Sequence, residues 1–350
     1  MYLNLYETCP VEPVRGEGVY LVDKNGKRYL DLLSGLGVNL LGYNHPAIVK
    51  ELKDIPPFLH LSNLYLHPLK EEVASILCSL TGMDFAFFTN SGTEAIEAAL
   101  KFAWKKNPGK IVAFENSFHG RTLGSLSTSG ILKEQPFPRI NTEIKFLPWG
   151  DAESVLKENP SILILEPLQG SGGPRVASRE FYKAIMELKK HGTIIICDEI
   201  QSGLGRCGSF LASQRLGLKP DIVALGKGLG GGLPLGCVLL RKEIASALST
   251  GDHGTTMGGN FLALKLARVV IKEVLKLMGH AKELEKELHG NEGLGLFIGI
   301  TTERKDEVMR KMLEEGVIIG KSARGIRLLP PLIIKKEELL PVWERIRSLL

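Results

Sequence analysis

Thr193–Gly236 reads TIIICDEIQSGLGRCGSFLASQRLGLKPDIVALGKGLGGGLPLG. Two short apolar runs inside it, Thr193–Cys197 and Ile222–Leu225, have the length and branched-residue content of strands buried on both faces of a sheet. Polar groups follow each run at once: Asp198 and Glu199 after the first, and Lys227 where the second gives way to a glycine-rich turn. Ligands of open parallel sheets bind at the carboxyl ends of the strands, so a carboxylate and an amine delivered there are candidates for one site.

The two residue types fit one chemistry. A lysine amine condenses with a cofactor aldehyde as a Schiff base, and a carboxylate beside a pyridine nitrogen keeps that ring protonated and electron-accepting. The stretch therefore suits pyridoxal phosphate, with Lys227 as the Schiff-base lysine and Asp198 as the ring partner. Each residue alone also has a plain reading, Asp198 as a helix N-cap and Lys227 as a solvated turn residue. Gly203–Gly208 and Gly226–Gly231 both satisfy G-x-G-x-x-G, but a dinucleotide fingerprint must open a helix inside a βαβ unit. The second pattern instead runs through Leu233-Pro234 into Cys237–Leu240, which reads as a returning strand, so nicotinamide chemistry is set aside.

Working outward, a chain of 350 residues accommodates a large core and points to two domains or one with an appendage. Its 44 basic and 39 acidic residues leave a net charge of +5 without a dense basic run, so nucleic acid is not implied. The five cysteines (Cys9, Cys78, Cys197, Cys207, Cys237) are scattered and odd in number, without paired metal spacing. That pattern fits a reducing compartment and no metal site. No apolar run reaches membrane-span length, and the N-terminus MYLNLYETCP lacks a basic region before an apolar one. The expectation is a cytoplasmic protein with no membrane partner.

In chain order, Gly18–Asp31 holds two alternating runs joined by Asn25-Gly26, a hairpin signal. The glycine-rich segment Leu33–Pro46 follows, in which Gly37 and Val38 either line a substrate pocket or belong to a plain connecting loop. A helix over about Pro68–Thr81 precedes a strand over Phe85–Thr89. Next, Ser91 and Glu94 form a capping box, and Ile96, Ala99, Leu100 and Ala103 share one helical face. The amides of Gly92 and Thr93 at that helix start are a natural seat for a phosphate, although a capped helix needs no ligand. Strand Ile111–Glu115 leads into Asn116–Thr122, where Phe118 can stack on an aromatic cofactor and Arg121 can grip a substrate carboxylate. A core phenylalanine and a surface ion pair are the plain alternatives. His119 takes a packing or cofactor-orienting role, because Lys227 can itself move a proton. Strand Ile162–Leu165 ends in the polar cluster Glu166–Gly173, and a helix over Arg179–His191 leads into the opening stretch. These successive strands with polar ends make an α/β architecture with a mostly parallel sheet. Beyond Leu240 come the polar loop Gly251–Asn260, a long helix over about Phe261–Met278, short elements at Leu296–Thr301 and Val317–Ile319, and a closing helix. The expected division is a large α/β domain over residues 40–250 and a smaller α+β domain from residues 1–39 and 251–350.

The segments SGTEAIEAALK, FHGRT, EPLQGSGG, DEIQSGLGR, ALGKGLGGGLPLG, GTTMGGN and IRLLPPL together resemble the class III aminotransferases of the ornithine and acetylornithine type. They occur in the family's order across almost the whole chain. The resemblance implies the fold type I architecture of pyridoxal phosphate-dependent transferases and a homodimer with shared sites. It implies Lys227 as the Schiff-base lysine, Asp198 at the pyridine nitrogen and Gln201 near the ring hydroxyl. It further implies Gly92 and Thr93 on the phosphate, Thr256 reaching the neighbouring subunit's cofactor, Phe118 over the ring, and Arg121 on the substrate carboxylate, with Arg327 a second anchor. One departure stands out. Ser171 occupies a position where the family often has a glutamate that latches the arginine matched by Arg327, which leaves Arg327 free to meet a carboxylate. The expected reaction moves the ω-amino group of N-acetylornithine to 2-oxoglutarate. The alternatives are a lysine or ornithine presented by an amino-group carrier protein, free ornithine or 4-aminobutyrate, an aminomutase, and a non-catalytic binding protein of the same fold.

Overall fold

The apolar runs assemble into one seven-stranded sheet. In chain order its strands are β1 (Phe85–Thr89), β2 (Ile111–Phe114), β3 (Ile144–Leu147), β4 (Ile162–Leu165), β5 (Ile194–Asp198), β6 (Ile222–Leu225) and β7 (Gly236–Leu240). The spatial order is β1-β7-β6-β5-β4-β2-β3, and β7 alone runs against its neighbours. Residues 2–54, 56–58 and 60–350 are described in this computed structural model.

β2, β4, β5, β6 and β7 are buried along their whole length, as continuous apolar runs require when both faces are covered. Side chains alternate between the faces with a period of two. Val112, Phe114, Leu163, Leu165, Ile195, Cys197, Val223 and Leu225 enter one core cluster. Ile111, Ala113, Ile162, Ile164, Ile194, Ile196, Ile222 and Ala224 enter the other. The helix Gly92–Lys106 seals this second cluster with Ala95, Ile96, Ala99, Phe102 and Ala103.

Two elements differ from the sequence expectation. β3 is an edge strand paired only with β2, and its half-exposed IKFL carries a lysine, so it lacks the signature of a buried strand. The long helix runs over Phe261–Glu287 rather than ending near Met278, because Gly279 lies inside it and Ala281 and Leu284 continue its buried face. The hairpin Tyr20–Asp23 and Arg28–Asp31 forms as expected, with Asp23 Oδ1 accepting from the amides of Asn25 (2.8 Å) and Lys27 (2.9 Å). It belongs to a four-stranded sheet that also contains Pro13–Glu17 and, in parallel with Arg28–Asp31, the late strand Val317–Ile318. No helix among the described residues is long and apolar enough to cross a membrane.

Candidate active site

The carboxyl ends of the parallel strands open onto one cavity of about 370 Å³. Five loops meet there. The turn after β1 brings Gly92 and Thr93, the loop after β2 brings Phe118 and Arg121, and the turn after β6 brings Lys227. β5 contributes Asp198 at its end with Gln201 just beyond, and β4 is followed directly by Glu166.

The two adjacent carboxylates after β5 do different work. Glu199 accepts from Ser202 Oγ (2.6 Å) and from the amides of Ala212 (3.0 Å) and Ser213 (2.7 Å), so it caps the short helix Ala212–Leu216. Asp198 faces the cavity: Oδ1 accepts from the amide of Ile200 (3.1 Å), and Oδ2 lies 2.7 Å from Nδ1 of the buried His119. Among the described residues the other ring nitrogen, His119 Nε2, is buried without a partner. The pair is a carboxylate oriented by an imidazole, and among the described residues no Lys or Arg forms an ion pair with it.

Lys227 begins a single 3₁₀ turn, Lys227–Gly230, with a left-handed backbone (φ 46°). Left-handed non-glycine residues are costly and collect at functional sites. Its Nζ has no hydrogen-bond partner among the described residues. Burial lowers the ammonium pKa below the ordinary lysine value; Asp198 opposes the shift, Arg327 reinforces it and Glu166 opposes it. A buried lysine that sheds its proton easily is a better nucleophile.

At the start of Gly92–Lys106, Ser91 Oγ accepts from the amide of Glu94 (3.3 Å), and Glu94 reaches back to the amide of Asn90 (2.9 Å). The amides of Gly92 and Thr93 have no partner among the described residues, and both residues line the cavity. A Cβ on Gly92 would come within 2.8 Å of Ile200, so the turn can pack this closely only with glycine. Thr93 Oγ1 is 2.9 Å from Thr122 Oγ1 and 2.8 Å from Ser125 Oγ, which ties this helix start to the loop carrying Phe118 and Arg121. Arg121 is exposed, forms no ion pair among the described residues, and places its guanidinium carbon 4.9 Å from the Phe118 ring centroid. Its guanidinium is therefore available to a carboxylate. An amine, a carboxylate fixed by a buried imidazole, paired helix-start amides and an aromatic ring around one cavity fit pyridoxal phosphate.

Three expected residues lie outside the cavity lining. Arg327 is buried behind Gln201: its Nη1 donates to Gln201 Oε1 (3.2 Å), and its Nε is unpartnered. Thr256 is exposed on its loop, away from this chain's own cavity. Val38 lines a separate cavity with Leu40 and Gly228, which removes it from the pocket wall expected for it. The cause is local. Ser34, Gly35, Leu36 and Gly37 all take positive φ, and this left-handed winding presents the Leu36 carbonyl, not the Val38 side chain, to Gln201 Nε2 (3.3 Å).

The sequence matches the family described as Aminotransferase class-III over residues 2–350. The chain is a class III aminotransferase. It is 44% identical to an acetylornithine aminotransferase of Aquifex aeolicus, over 96% of each chain. It is 40% identical to an acetylornithine aminotransferase of Archaeoglobus fulgidus, over 96% of this chain and 94% of that one. Among solved structures, the ornithine aminotransferase of Toxoplasma gondii superposes with a TM-score of 0.91 at 27% identity, covering 99% of this chain and 92% of that one. The acetylornithine aminotransferase of Elizabethkingia anophelis gives 0.83 at 31% identity, covering 99% and 95%. The aminotransferase has the fold type I architecture, and its cofactor is pyridoxal phosphate. When bound, this cofactor supplies an aldehyde that condenses with amines and a ring that accepts the electron pair of a departing proton.

Among the residues lining the aminotransferase pocket that the sequence reading gave no role are Glu166 and Tyr6. Glu166 opens the polar cluster that the sequence places at the end of β4, but the strand-end rule gives a position and not a role. Tyr6, from the extended N-terminal segment, lines the same cavity, and no local pattern marks it.

Proposed function

We propose that this aminotransferase moves the ω-amino group of N-acetylornithine to 2-oxoglutarate. The observation that carries the reading is the 44% identity to an acetylornithine aminotransferase across 96% of both chains. In this reading Lys227 Nζ receives the proton from the substrate carbon and returns it, a role helped by its lowered pKa. With the cofactor bound, Asp198, oriented by His119, would meet the ring nitrogen, Gln201 the ring hydroxyl and Phe118 the ring face. The amides of Gly92 and Thr93 would hold the phosphate, Arg121 would take the substrate carboxylate, and Arg327, behind Gln201 with its Nε unpartnered, would be the second anchor. We extend the reading to a homodimer in which Thr256 of each subunit serves the other's site. Support comes from an exposed apolar patch: Leu64, Tyr65 and Leu66 are 93%, 67% and 95% exposed, and Asn63 Nδ2 ties their loop to the Thr255 carbonyl (2.7 Å). A cytoplasmic location belongs to the same reading, supported by the five free cysteines.

The test is optical. Cofactor-loaded protein is mixed separately with N-acetylornithine, ornithine, lysine and 4-aminobutyrate while its visible absorbance is followed. N-acetylornithine should bleach the band, and 2-oxoglutarate should restore it. A band lost in Lys227→Ala yet unmoved by every free amine would reject this donor and direct the search to a lysine or ornithine held on a carrier protein.

A further inference from the structure

The roles above leave one buried charged group of the pocket without a task. Glu166 is only 8% exposed and lines the cavity together with Arg121, Ser171, Gln201 and Lys227. Among the described residues no lysine or arginine forms an ion pair with it. Its two oxygens are held by backbone alone: Oε2 accepts from the amide of Phe118 (3.0 Å), and Oε1 accepts from the amide of Gly170 (3.0 Å). Gly170 in turn abuts the amide that holds Arg327. A Cβ there would lie 2.2 Å from Gln201 Oε1, the atom that accepts from Arg327 Nη1. Glu166 is thus fixed two contacts from a buried guanidinium that has a spare donor at Nε. Ser171 adds no opposing charge at the same wall.

The geometry points to Glu166 as a specificity-determining residue: its fixed carboxyl sets the balance between dicarboxylate acceptors and ammonium-bearing donors in a pocket whose other wall charges are cationic or already partnered. The charged and titratable groups facing it are Asp198 and His119, which are bonded to each other, together with Lys227 and Arg327. When ionised, Glu166 offsets part of the attraction that Arg121 and Arg327 exert on a second carboxylate, and it favours the ammonium of an incoming donor. When neutral, it no longer offsets that attraction, and the dicarboxylate gains. Burial pushes its carboxyl up to about 6, opposed by His119 and reinforced by Asp198, so the change falls in an accessible pH range.

The inference rests on the aminotransferase reading of the pocket, but its test uses glutarate, a dicarboxylate that can neither donate nor accept an amino group. Binding of glutarate to the cofactor-loaded protein is measured by calorimetry between about pH 7.5 and 5.5, corrected for the dianion fraction. Native protein should bind the dianion several-fold more tightly at the lower pH. Glu166→Gln should bind it about tenfold more tightly at the upper pH and lose the pH dependence, while Ser171→Glu, which adds a charge at the same wall, should bind it about tenfold more weakly. In the amine exchange, Glu166→Gln should raise KM for the donor and lower it for the oxo acid. A damaged fold would weaken both partners together, so the opposite signs separate a charge effect from a packing effect. A glutarate affinity that is flat with pH in the native protein, or equal in native protein and Glu166→Gln, overturns the inference. The native titration stands alone if Glu166→Gln does not fold. Rejection of N-acetylornithine as donor would leave the glutarate result untouched, so the two readings fail independently.

Discussion

Gly92→Ala tests whether the phosphate sits on the start of the Gly92–Lys106 helix. The added methyl would lie 2.8 Å from both Cδ1 and Cγ2 of Ile200 and 3.1 Å from its Cγ1. Either the helix start or Ile200 must move by several tenths of an ångström, and overpacking of this kind costs about 1–3 kcal/mol. The helix itself gains from the substitution, since alanine at an ordinary helical φ is favoured over glycine by about 0.5–1 kcal/mol. The two terms oppose each other, so apo-protein stability should fall by about 0–2.5 kcal/mol. Cofactor affinity should fall by about ten- to a hundredfold, because the displaced amide is the one offered to the phosphate. Titration of the apo protein with pyridoxal phosphate, followed by absorbance and by quenching of intrinsic fluorescence, reads the affinity; urea unfolding reads the stability. Ile200→Ala should restore most of the loss in the double variant, giving a coupling of about 1 kcal/mol or more. Unchanged affinity in Gly92→Ala would refute the phosphate seat. A loss that Ile200→Ala fails to relieve would refute the steric route to it.

Other outcomes follow from the same geometry. Lys227→Ala should lose the visible band and at least about a thousandfold of the exchange rate, checked by stopped-flow absorbance with the preferred donor. Because burial depresses the Lys227 pKa and Asp198 partly counters this, native apo protein should condense with pyridoxal phosphate with a pH midpoint below that of free lysine. Asp198→Asn removes an influence that raises the pKa, so its midpoint should drop further; a midpoint that rises would contradict the sign. Arg206 is fully buried and donates Nη1 to the carbonyls of Leu296 (3.1 Å) and Pro330. Arg206→Ala would orphan two carbonyls and open a void, lowering unfolding free energy by about 3–5 kcal/mol in denaturant titration. Glu199→Ala should reduce stability by about 1–3 kcal/mol through three lost hydrogen bonds, while leaving the cofactor's absorbance position unchanged.

What the sequence made legible depended on how local each signal is. β4 and β6 fall within runs of branched apolar residues because both their faces are covered, and burial alone writes that pattern. The cap from Ser91 Oγ to the amide of Glu94 also lies within four residues, so the helix start could be placed to the residue, although Glu94 bonds back to Asn90 and not to Ser91 as a full capping box would. β3 was hidden because an edge strand with one exposed face needs no such run. The His119–Asp198 bond joins residues 79 positions apart, and nothing near His119 distinguishes a ring that orients a carboxylate from one that merely packs. Val38 and the Leu36 carbonyl differ by two positions and a left-handed turn, a detail of backbone winding that glycine content suggests without specifying. The contact between Arg327 and Gln201 depends on two strand systems meeting, which no periodicity records.

The pairing of Val317–Ile318 with Arg28–Asp31 has a consequence during synthesis. The amide of Leu30 waits for the carbonyl of Gly316, and that of Leu32 for Ile318, so the early hairpin emerges from the ribosome with one edge bare until Gly316–Ile318 has been made. A bare strand edge templates pairing with other chains, and closing a loop of this length is slow. Nascent or truncated chains that stop before Val317 are therefore the species most prone to clump, and the strand Val317–Ile318 acts as the clasp that ends that exposure.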